Sequence, residues 1–132
     1  MTVRGLLDTS VFIANEMGRP LVTALLPQDS YVSVITMAEL QLGVFAARDT
    51  DTRARRMRTF EVACTIDALP IDAVAASEWA RLRFRLFEAG RRANINDLWI
   101  ASVALAHGMP VVTQDSGFEE LADLGGPEII LV

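Results

Sequence analysis

Short apolar segments typical of β-strands alternate along the chain with longer segments that have helical spacing, and this alternation constrains the fold most strongly. The strand-like segments are residues 3–8, 31–36, 65–71, 109–113 and 128–132. The helix-like segments are residues 11–15, 21–26, 36–45, 50–64, 72–89, 97–108 and 117–124. Strands that alternate with helices pair in parallel and are covered by helices on both faces. The sequence therefore predicts an α/β fold with a mostly parallel central sheet flanked by helices.

The starts of several helices are indicated by residues that commonly cap helices. Thr9 and Ser10 offer N-caps before the first helical segment. Thr36 and Glu39 fit the pattern of a capping box at the start of the helix that follows the second strand. Asp72 is expected to cap the longest helix.

The length and composition of the chain fit one domain. Its 132 residues, 52% of them hydrophobic, are enough for one core, and we expect a single domain over residues 1–132. A charged residue, Arg4, interrupts the opening segment before a signal peptide could form, and residues 98–106 are too short to cross a membrane. The lone Cys64 fits a reducing compartment and is expected to be buried. The expected location is the cytoplasm, with no membrane partner.

Basic residues are concentrated in two segments of an otherwise acidic chain. The net charge is −5, which taken alone argues against a nucleic-acid partner. All twelve basic residues are arginines, and ten of them lie in a first arginine segment, 48–58, and a second arginine segment, 81–92. Five arginines against two acids give the first segment +3, and five against one give the second +4. The segments fit either solvated helix faces or a surface for a polyanion such as RNA.

Four acids occupy comparable places relative to the predicted strands. Asp8 ends the first strand, and Glu39 follows the second strand in the first helical turn. Asp97 begins a helix, and Asp115 comes two residues after the fourth strand. Taken singly, each acid has an ordinary explanation as a helix cap, a helix-dipole partner or a turn residue. Taken together, the acids lie at the end of a parallel sheet where ligands bind in α/β proteins.

Four carboxylates in one crevice would repel one another unless a cation or a shifted protonation balanced them. Carboxylate oxygens suit Mg²⁺ or Mn²⁺, whereas zinc favours His and Cys, of which the chain has one each. Setting four of the 17 acids aside leaves 13 against 12 arginines, so the charge objection to an RNA partner nearly disappears. The acids therefore predict a hard divalent metal at the sheet edge.

Three segments of the chain resemble the signature blocks of PIN-domain nucleases, in particular the VapC toxins of bacterial toxin-antitoxin pairs. The segments are LLDTSVFIA, VSVITMAELQLGV and NDLWIASVALAHGMPVVTQDSGFEEL. The resemblance runs from Gly5 to the C-terminus and implies a PIN-like three-layer domain. It also implies that Asp8, Glu39 and Asp97 hold the metal and that Asp115 completes the site or supports a second ion.

The same resemblance implies an activity and partners. It points to a Mg²⁺-dependent or Mn²⁺-dependent endoribonuclease that acts as the toxin of a type II pair and is held by a cognate antitoxin protein. A homodimer is expected as well, on the resemblance and on a mean hydropathy of +0.31, with an exposed apolar groove as the docking surface. Ser10, Asn96 and Thr113 could support the acids through hydrogen bonds, or could serve only as caps and backbone partners.

The mechanism expected from these residues uses a metal-activated water. Ribonucleases that use the RNA 2′-hydroxyl usually need a general base and acid of the His type, and the only histidine, His107, is predicted to end a helix far from Asp97. The products should therefore carry a 5′-phosphate and a free 3′-hydroxyl.

Three other functions are compatible with parts of the pattern. A phosphoacceptor signalling domain also gathers acids at the ends of parallel strands, but such domains rely on a lysine, and the chain has none. A catalytically idle binding module with the same fold is disfavoured because all four acids are present. Cleavage of DNA by the same site stays open at this point.

Overall fold

The computed structural model describes residues 3–132, and the five strands of this part of the chain form one sheet in which every pairing is parallel. The strands are β1 (Arg4–Leu7), β2 (Asp29–Ser33), β3 (Asp67–Leu69), β4 (Val111–Thr113) and β5 (Ile129–Leu131). The helices are α1 (Thr9–Glu16), α2 (Val34–Ala46), α3 (Thr50–Cys64), α4 (Ala73–Glu88), α5 (Ile95–Ala106) and α6 (Glu119–Ala122). The predicted α/β fold with a mostly parallel sheet is confirmed.

The first strand of the sequence lies at the centre of the sheet, whose spatial order is β3-β2-β1-β4-β5. Leu6 of β1 is in register with Tyr31 of β2, and Leu7 is in register with Val112 of β4. From β1 the chain continues to β2 on one side, whereas β4 lies on the other side of β1. In parallel α/β sheets, such a change of direction opens a crevice at the carboxyl ends of the strands. The residues that follow these three strands therefore meet at one edge of the sheet.

Helices cover both faces of the sheet and divide the core in two. Successive residues of β1 point to opposite faces, so Leu6 and Leu7 belong to different apolar clusters. The cluster around Leu6 includes Leu82 of α4 and Ile100 of α5. The cluster around Leu7 includes residues of the other three long helices, namely Val11, Phe12, Leu40 and Ala63. This arrangement is the expected three-layer architecture.

Two of the predicted helix caps differ from the observed ones. Asp8, and not Thr9 or Ser10, is the N-cap of α1, since its side chain accepts a hydrogen bond from the backbone N–H of Ser10. The predicted capping box of Thr36 is wrong, because α2 begins two residues before Thr36 and Ser33 accepts the N–H of Thr36. Asp72 caps α4 as predicted, with its Oδ1 2.9 Å from the N atom of Ala75.

Other local predictions also needed tertiary information. The helical segment predicted over residues 21–26 is a single 3₁₀ turn, Thr23–Leu25. The segment predicted over residues 117–124 divides into a 3₁₀ turn, Ser116–Phe118, and the four-residue α6. Cys64, predicted to be buried, ends α3 on the exposed side. No helix in residues 3–132 combines the length and apolar character needed to cross a membrane.

Candidate active site

Asp8 is held in place by three hydrogen bonds to one of its two carboxylate oxygens. The hydroxyls of Ser10 and Thr113 donate to Asp8 Oδ2 at 2.7 and 2.9 Å, and the backbone N–H of Ser10 donates at 3.3 Å. Both hydroxyls in turn accept backbone N–H groups, from Gln114 at 3.0 Å and from Asp115 at 2.9 Å. Asp8 is 4% exposed, so this network fixes a nearly buried carboxylate between the ends of β1 and β4.

Glu39 lies in the second turn of α2, where the helix points its side chain at the start of α1. The hydroxyl Oγ1 of Thr9 lies 2.7 Å from Glu39 Oε1 and 3.0 Å from Oγ1 of Thr36. An ionised carboxylate only accepts hydrogen bonds, so the single proton of Thr9 goes to Glu39 and Thr36 donates to Thr9. This relay of two buried hydroxyls joins α2 to the residue next to Asp8.

Asp97 stands in the first turn of α5, and the pKa of its carboxyl is raised. Asn94 caps the helix, with Oδ1 accepting the backbone N–H of Asn96 at 2.9 Å and that of Asp97 at 3.2 Å. Burial raises the pKa of Asp97 from 3.8 to about 7, with further contributions from the negative charges of three neighbouring carboxylates. These carboxylates are those of Asp8, Asp115 and Glu39.

Asp115 follows β4 and caps a short 3₁₀ turn. Its Oδ1 accepts the backbone N–H of Gly117 at 2.8 Å, and its own N–H donates to Thr113, one of the two hydroxyls that hold Asp8. Unlike Asp8, it is exposed to solvent. The charges of Asp8, Asp115 and Glu39 all act on the carboxyl of Asp97, so the four acids selected from the sequence lie in one region of the molecule.

The charges that shift the pKa of Asp97 are all negative. Every electrostatic contribution to the pKa of Asp97 comes from a carboxylate. Among residues 3–132, no three side chains of the Asp, Glu, His or Cys type form a compact ligand cluster, as expected for like charges that repel. The available donors are oxygens, which suit a hard divalent cation, and such a cation would offset the repulsion. The donor set therefore fits Mg²⁺ or Mn²⁺.

The sequence indicated some supporting residues and missed others. The hydroxyls of Ser10 and Thr113 contact Asp8, as was considered possible from the sequence, whereas Asn96 takes part in the site region through its backbone N–H. Thr9 and Thr36 were read only as caps, although each lies within one helical turn of a candidate acid. A threonine that sits beside an acid and is not needed as a cap is the signal that could have identified them.

Several arginines donate to carbonyl oxygens instead of pairing with acids. In the first arginine segment, Arg53 donates to the carbonyl of Ala47 and Arg56 to that of Gly43, both at the end of α2. In the second, Arg85 donates to the carbonyl of Leu124. Within residues 3–132, Arg55 also pairs with Glu16 and Arg81 with Glu78. Contacts to carbonyls leave the positive charge of the two segments largely uncancelled.

A groove of about 670 Å³ between α1, α2 and α3 adjoins the acidic crevice. Glu39 belongs to its lining, so the groove and the crevice are continuous. Ile13, Met17 and Leu40 give it an apolar floor, and arginines of the first arginine segment stand on its rim. Such a surface can accept an extended or helical segment with mixed apolar and acidic character.

The match to a known family decides what kind of domain carries this crevice. Residues 5–124 match the family model described as PIN domain. The chain belongs to the PIN-domain family. The domain is 52% identical to Ribonuclease VapC5 of Mycobacterium tuberculosis over 128 residues, 97% of this chain and 95% of that protein. It is 40% identical to Ribonuclease VapC4 of the same organism over 92% of this chain and 93% of that protein.

A solved structure extends the likeness of this PIN domain to three dimensions. The crystal structure of VapBC-5, a member of the VapBC family of toxin-antitoxin systems from Mycobacterium tuberculosis, matches with a TM-score of 0.91 at 49% identity. The match covers 98% of this chain and 99% of that chain. The PIN-like fold expected from the sequence is therefore confirmed.

Proposed function

We propose that this PIN domain is a metal-dependent endoribonuclease that acts as the toxin of a type II toxin-antitoxin pair. The observation that carries the proposal is the gathering of four carboxylates at one crevice, where the charges of three of them act on Asp97. The similarity to proteins named Ribonuclease VapC supports RNA as the substrate. A positively charged first arginine segment beside the crevice favours the same polyanion.

Asp8, Glu39, Asp97 and Asp115 would together hold Mg²⁺ or Mn²⁺, through carboxylate oxygens. When bound, such an ion neutralises charge that develops on the scissile phosphate and lowers the pKa of the attacking water. Asp8 would offer Oδ1, because its Oδ2 is filled by Ser10 and Thr113. Glu39 would offer Oε2, because Oε1 accepts from Thr9. The hydroxyls thus select which oxygen Asp8 and Glu39 would present.

The carboxylates would position the attacking water, and the only histidine of the chain lies too far away to act as general base or acid. One of the carboxylates orients the attacking water or takes its proton. His107 is the C-cap of α5, roughly 15 Å along the helix from Asp97 at 1.5 Å per residue, and lies outside proton-transfer reach. Attack of water on the phosphorus, with the bond to the 3′-oxygen breaking and that oxygen taking up a proton, would leave a 5′-phosphate and a free 3′-hydroxyl.

The proposed partners are an antitoxin protein and a second copy of the chain, in the cytoplasm. The structural match to a VapBC toxin-antitoxin system supports an antitoxin. The groove between α1, α2 and α3 is its proposed docking surface, because the apolar floor runs up to Glu39 and an occupant would cover the acids. Release from the antitoxin would then expose both the groove and the crevice.

The test is cleavage of a labelled RNA by the purified protein with Mg²⁺, with Mn²⁺ and with EDTA. Cleavage should require the metal, leave 5′-phosphate ends, fall more than about 100-fold in Asp8→Asn, and persist in His107→Gln. Cleavage in EDTA or cyclic phosphate ends would refute the mechanism. Cleavage of DNA alone, or of no nucleic acid while an antitoxin still binds, would support a DNA nuclease or an idle binding module and overturn the proposal.

A further inference from the structure

Glu16 is a nearly buried carboxylate outside the group of four acids. Its side chain is 9% exposed, and it ends α1 at the junction of two grooves. The first groove is the one between α1, α2 and α3 that reaches Glu39, and the second, of about 320 Å³, lies between α1 and α3. Buried carboxylates normally accept hydrogen bonds. Within residues 3–132, no group donates one to the carboxylate of Glu16, so its oxygens are free to accept from a ligand.

Arg55 of α3 stands beside this carboxylate and forms with it the Glu16–Arg55 pair. Arg55 Nε lies 3.6 Å from Glu16 Oε2, which is too long for a hydrogen bond, and this nitrogen has no hydrogen-bond partner in residues 3–132. The Arg55 side chain is 41% exposed, and the residue lines both grooves. Two carboxylate acceptors and a guanidinium therefore lie side by side at the groove junction, with little of their hydrogen-bonding capacity used.

The Glu16–Arg55 pair lies in line with the acidic crevice. Thr9, whose hydroxyl donates to Glu39, is seven residues before Glu16 on α1. Seven residues make close to two helical turns, so Thr9 and Glu16 lie on one side of the helix, roughly 10 Å apart along its axis. Ile13 and Met17, both exposed, line the groove along this stretch. A nucleotide beside the scissile phosphate can therefore lay its base on this apolar surface, with the polar edge of the base at the pair.

We propose that the Glu16–Arg55 pair is a guanine-binding subsite that determines where the RNA is cut, an inference that rests on the proposed ribonuclease function. Guanine is the only one of the four RNA bases with two neighbouring donors, N1–H and the N2 amino group, and a carboxylate offers two neighbouring acceptors. On the adjoining edge of the base, O6 and N7 accept from a guanidinium. Adenine, cytosine and uracil would each set an acceptor against the carboxylate, which costs binding energy.

Arginines along both grooves favour an RNA strand as the occupant. Arg58 follows Arg55 by one turn of α3 and lines the second groove, while Arg19 and Arg56 line the first. Among residues 3–132, neither Arg19 nor Arg58 pairs with an acid. An RNA strand carries a negative charge at every nucleotide, so these arginines would hold the backbone on either side of the bound base.

Single-stranded RNA is commonly recognised in this way, with a base turned out of the stack and hydrogen-bonded along its edges. The antitoxin proposed for the first groove would cover the same pair. RNA and antitoxin would therefore compete for one surface.

The test pairs changes in the protein with changes in single groups of the base. The substrate is a labelled single-stranded RNA with one guanosine, and the wild type with Mg²⁺ should cut beside it. Inosine in that place, which lacks the 2-amino group, should lower kcat/KM about 10–100-fold. In Glu16→Ala, the guanosine and inosine RNAs should be cut with the same reduced kcat/KM, because the acceptors are gone. If both values fell but kept the wild-type ratio, Glu16 would only support the fold and the subsite would be refuted.

Two further variants check the assignment. Glu61→Ala is the matched control, since Glu61 is exposed on α3 and lines neither groove. It should keep the wild-type preference for guanosine over inosine. Arg55 is tested with 7-deazaguanosine, which lacks the N7 acceptor. This analogue should lower kcat/KM in the wild type and not in Arg55→Ala, and an analogue effect of equal size in both proteins would remove Arg55 from the subsite.

The inference can fail separately from the ribonuclease proposal. Cleavage that does not distinguish inosine from guanosine would overturn the subsite and leave the ribonuclease intact. If no RNA is cut, the ribonuclease proposal fails, and binding of the same two RNAs in EDTA, followed by fluorescence anisotropy, decides the subsite. Tighter binding of the guanosine RNA would support it. Equal affinities would overturn it and favour a protein partner at the Glu16–Arg55 pair.

Discussion

The two sides of the acidic crevice are built differently. On one side, the carboxylates of Asp8 and Glu39 accept hydrogen bonds from side-chain hydroxyls of Ser10, Thr113 and Thr9. On the other side, Asp97 stands in the first turn of a helix, and the hydrogen bonds that organise this turn involve backbone N–H groups. The side with Asp8 and Glu39 fixes the positions of the carboxylate oxygens. The side with Asp97 carries a carboxyl whose pKa is raised to about 7, so its charge changes near neutral pH. The difference indicates that geometry and protonation are controlled by separate residues.

Among variants that leave all four acids in place, the largest effect is expected from removing the hydroxyl that donates to Glu39. Thr9→Val keeps the side-chain shape but takes the donor from Glu39 and the acceptor from the buried Thr36. Affinity for Mn²⁺, measured by calorimetric titration, should fall about 10–100-fold. The metal-free protein should lose about 1–3 kcal/mol of unfolding free energy in urea, because a buried hydroxyl is left unpaired.

Two variants sharpen that result. Thr9→Ser retains a donor and should restore most of the Mn²⁺ affinity. Ser10→Ala should cost less than Thr9→Val, since Asp8 Oδ2 still accepts the hydroxyl of Thr113. Unchanged Mn²⁺ affinity in Thr9→Val would show that the hydroxyl of Thr9 does not position the carboxylate of Glu39 for metal binding.

An intermediate effect is expected for the pH dependence of stability. The pKa of Asp97 is about 7 in the folded protein against 3.8 ordinarily. The folded state therefore holds more protons than the unfolded state between about pH 4 and 7, and stability must fall as pH rises through that window. Urea titrations in EDTA should show this fall in the wild type and a flatter profile in Asp97→Asn. If the unfolding free energy of the wild type and of Asp97→Asn fell equally with rising pH, the fall could not be assigned to Asp97.

The smallest effect is expected from the cap of α5. Asn94→Ala removes the acceptor for two N–H groups in the turn that carries Asp97 and should cost about 1 kcal/mol of stability. Asp49→Ala removes an equivalent cap from α3, a helix that carries none of the four acids, and should also destabilise the fold. Only Asn94→Ala should also weaken Mn²⁺ binding, by a few-fold at most. Equal Mn²⁺ affinities in both variants would mean that the cap does not position Asp97.

The parts of this structure that could be predicted from sequence are those determined by neighbouring residues. The helix Thr50–Cys64 and the cap at Asp72 match the prediction because propensity and capping act within a turn or two. The start of α2 could not be predicted correctly, since both Ser33 and Thr36 can cap. The structure selects Ser33, and Thr36 then turns inward to Thr9.

The site residues also divide into those that neighbouring residues indicate and those that only tertiary packing brings together. The four acids could be selected because each follows a predicted strand or begins a helix. The hydroxyl relay could not, because Thr9 and Thr36 are 27 residues apart and meet only after two helices pack. The exposure of Cys64 also depends on packing, since a lone cysteine is compatible with either the core or the surface.

The central position of β1 has a consequence for biosynthesis. The strand made first pairs with β4, and the hydrogen bond from Thr113 to Asp8 spans 105 residues of sequence. Pairings this distant close late, because the loop entropy must be overcome before the contact forms. A growing polypeptide on the ribosome carries Asp8 and Glu39 long before it contains Asp97 and Asp115. The acidic crevice therefore cannot exist on an unfinished chain, and the protein stays inert until most of it has been translated.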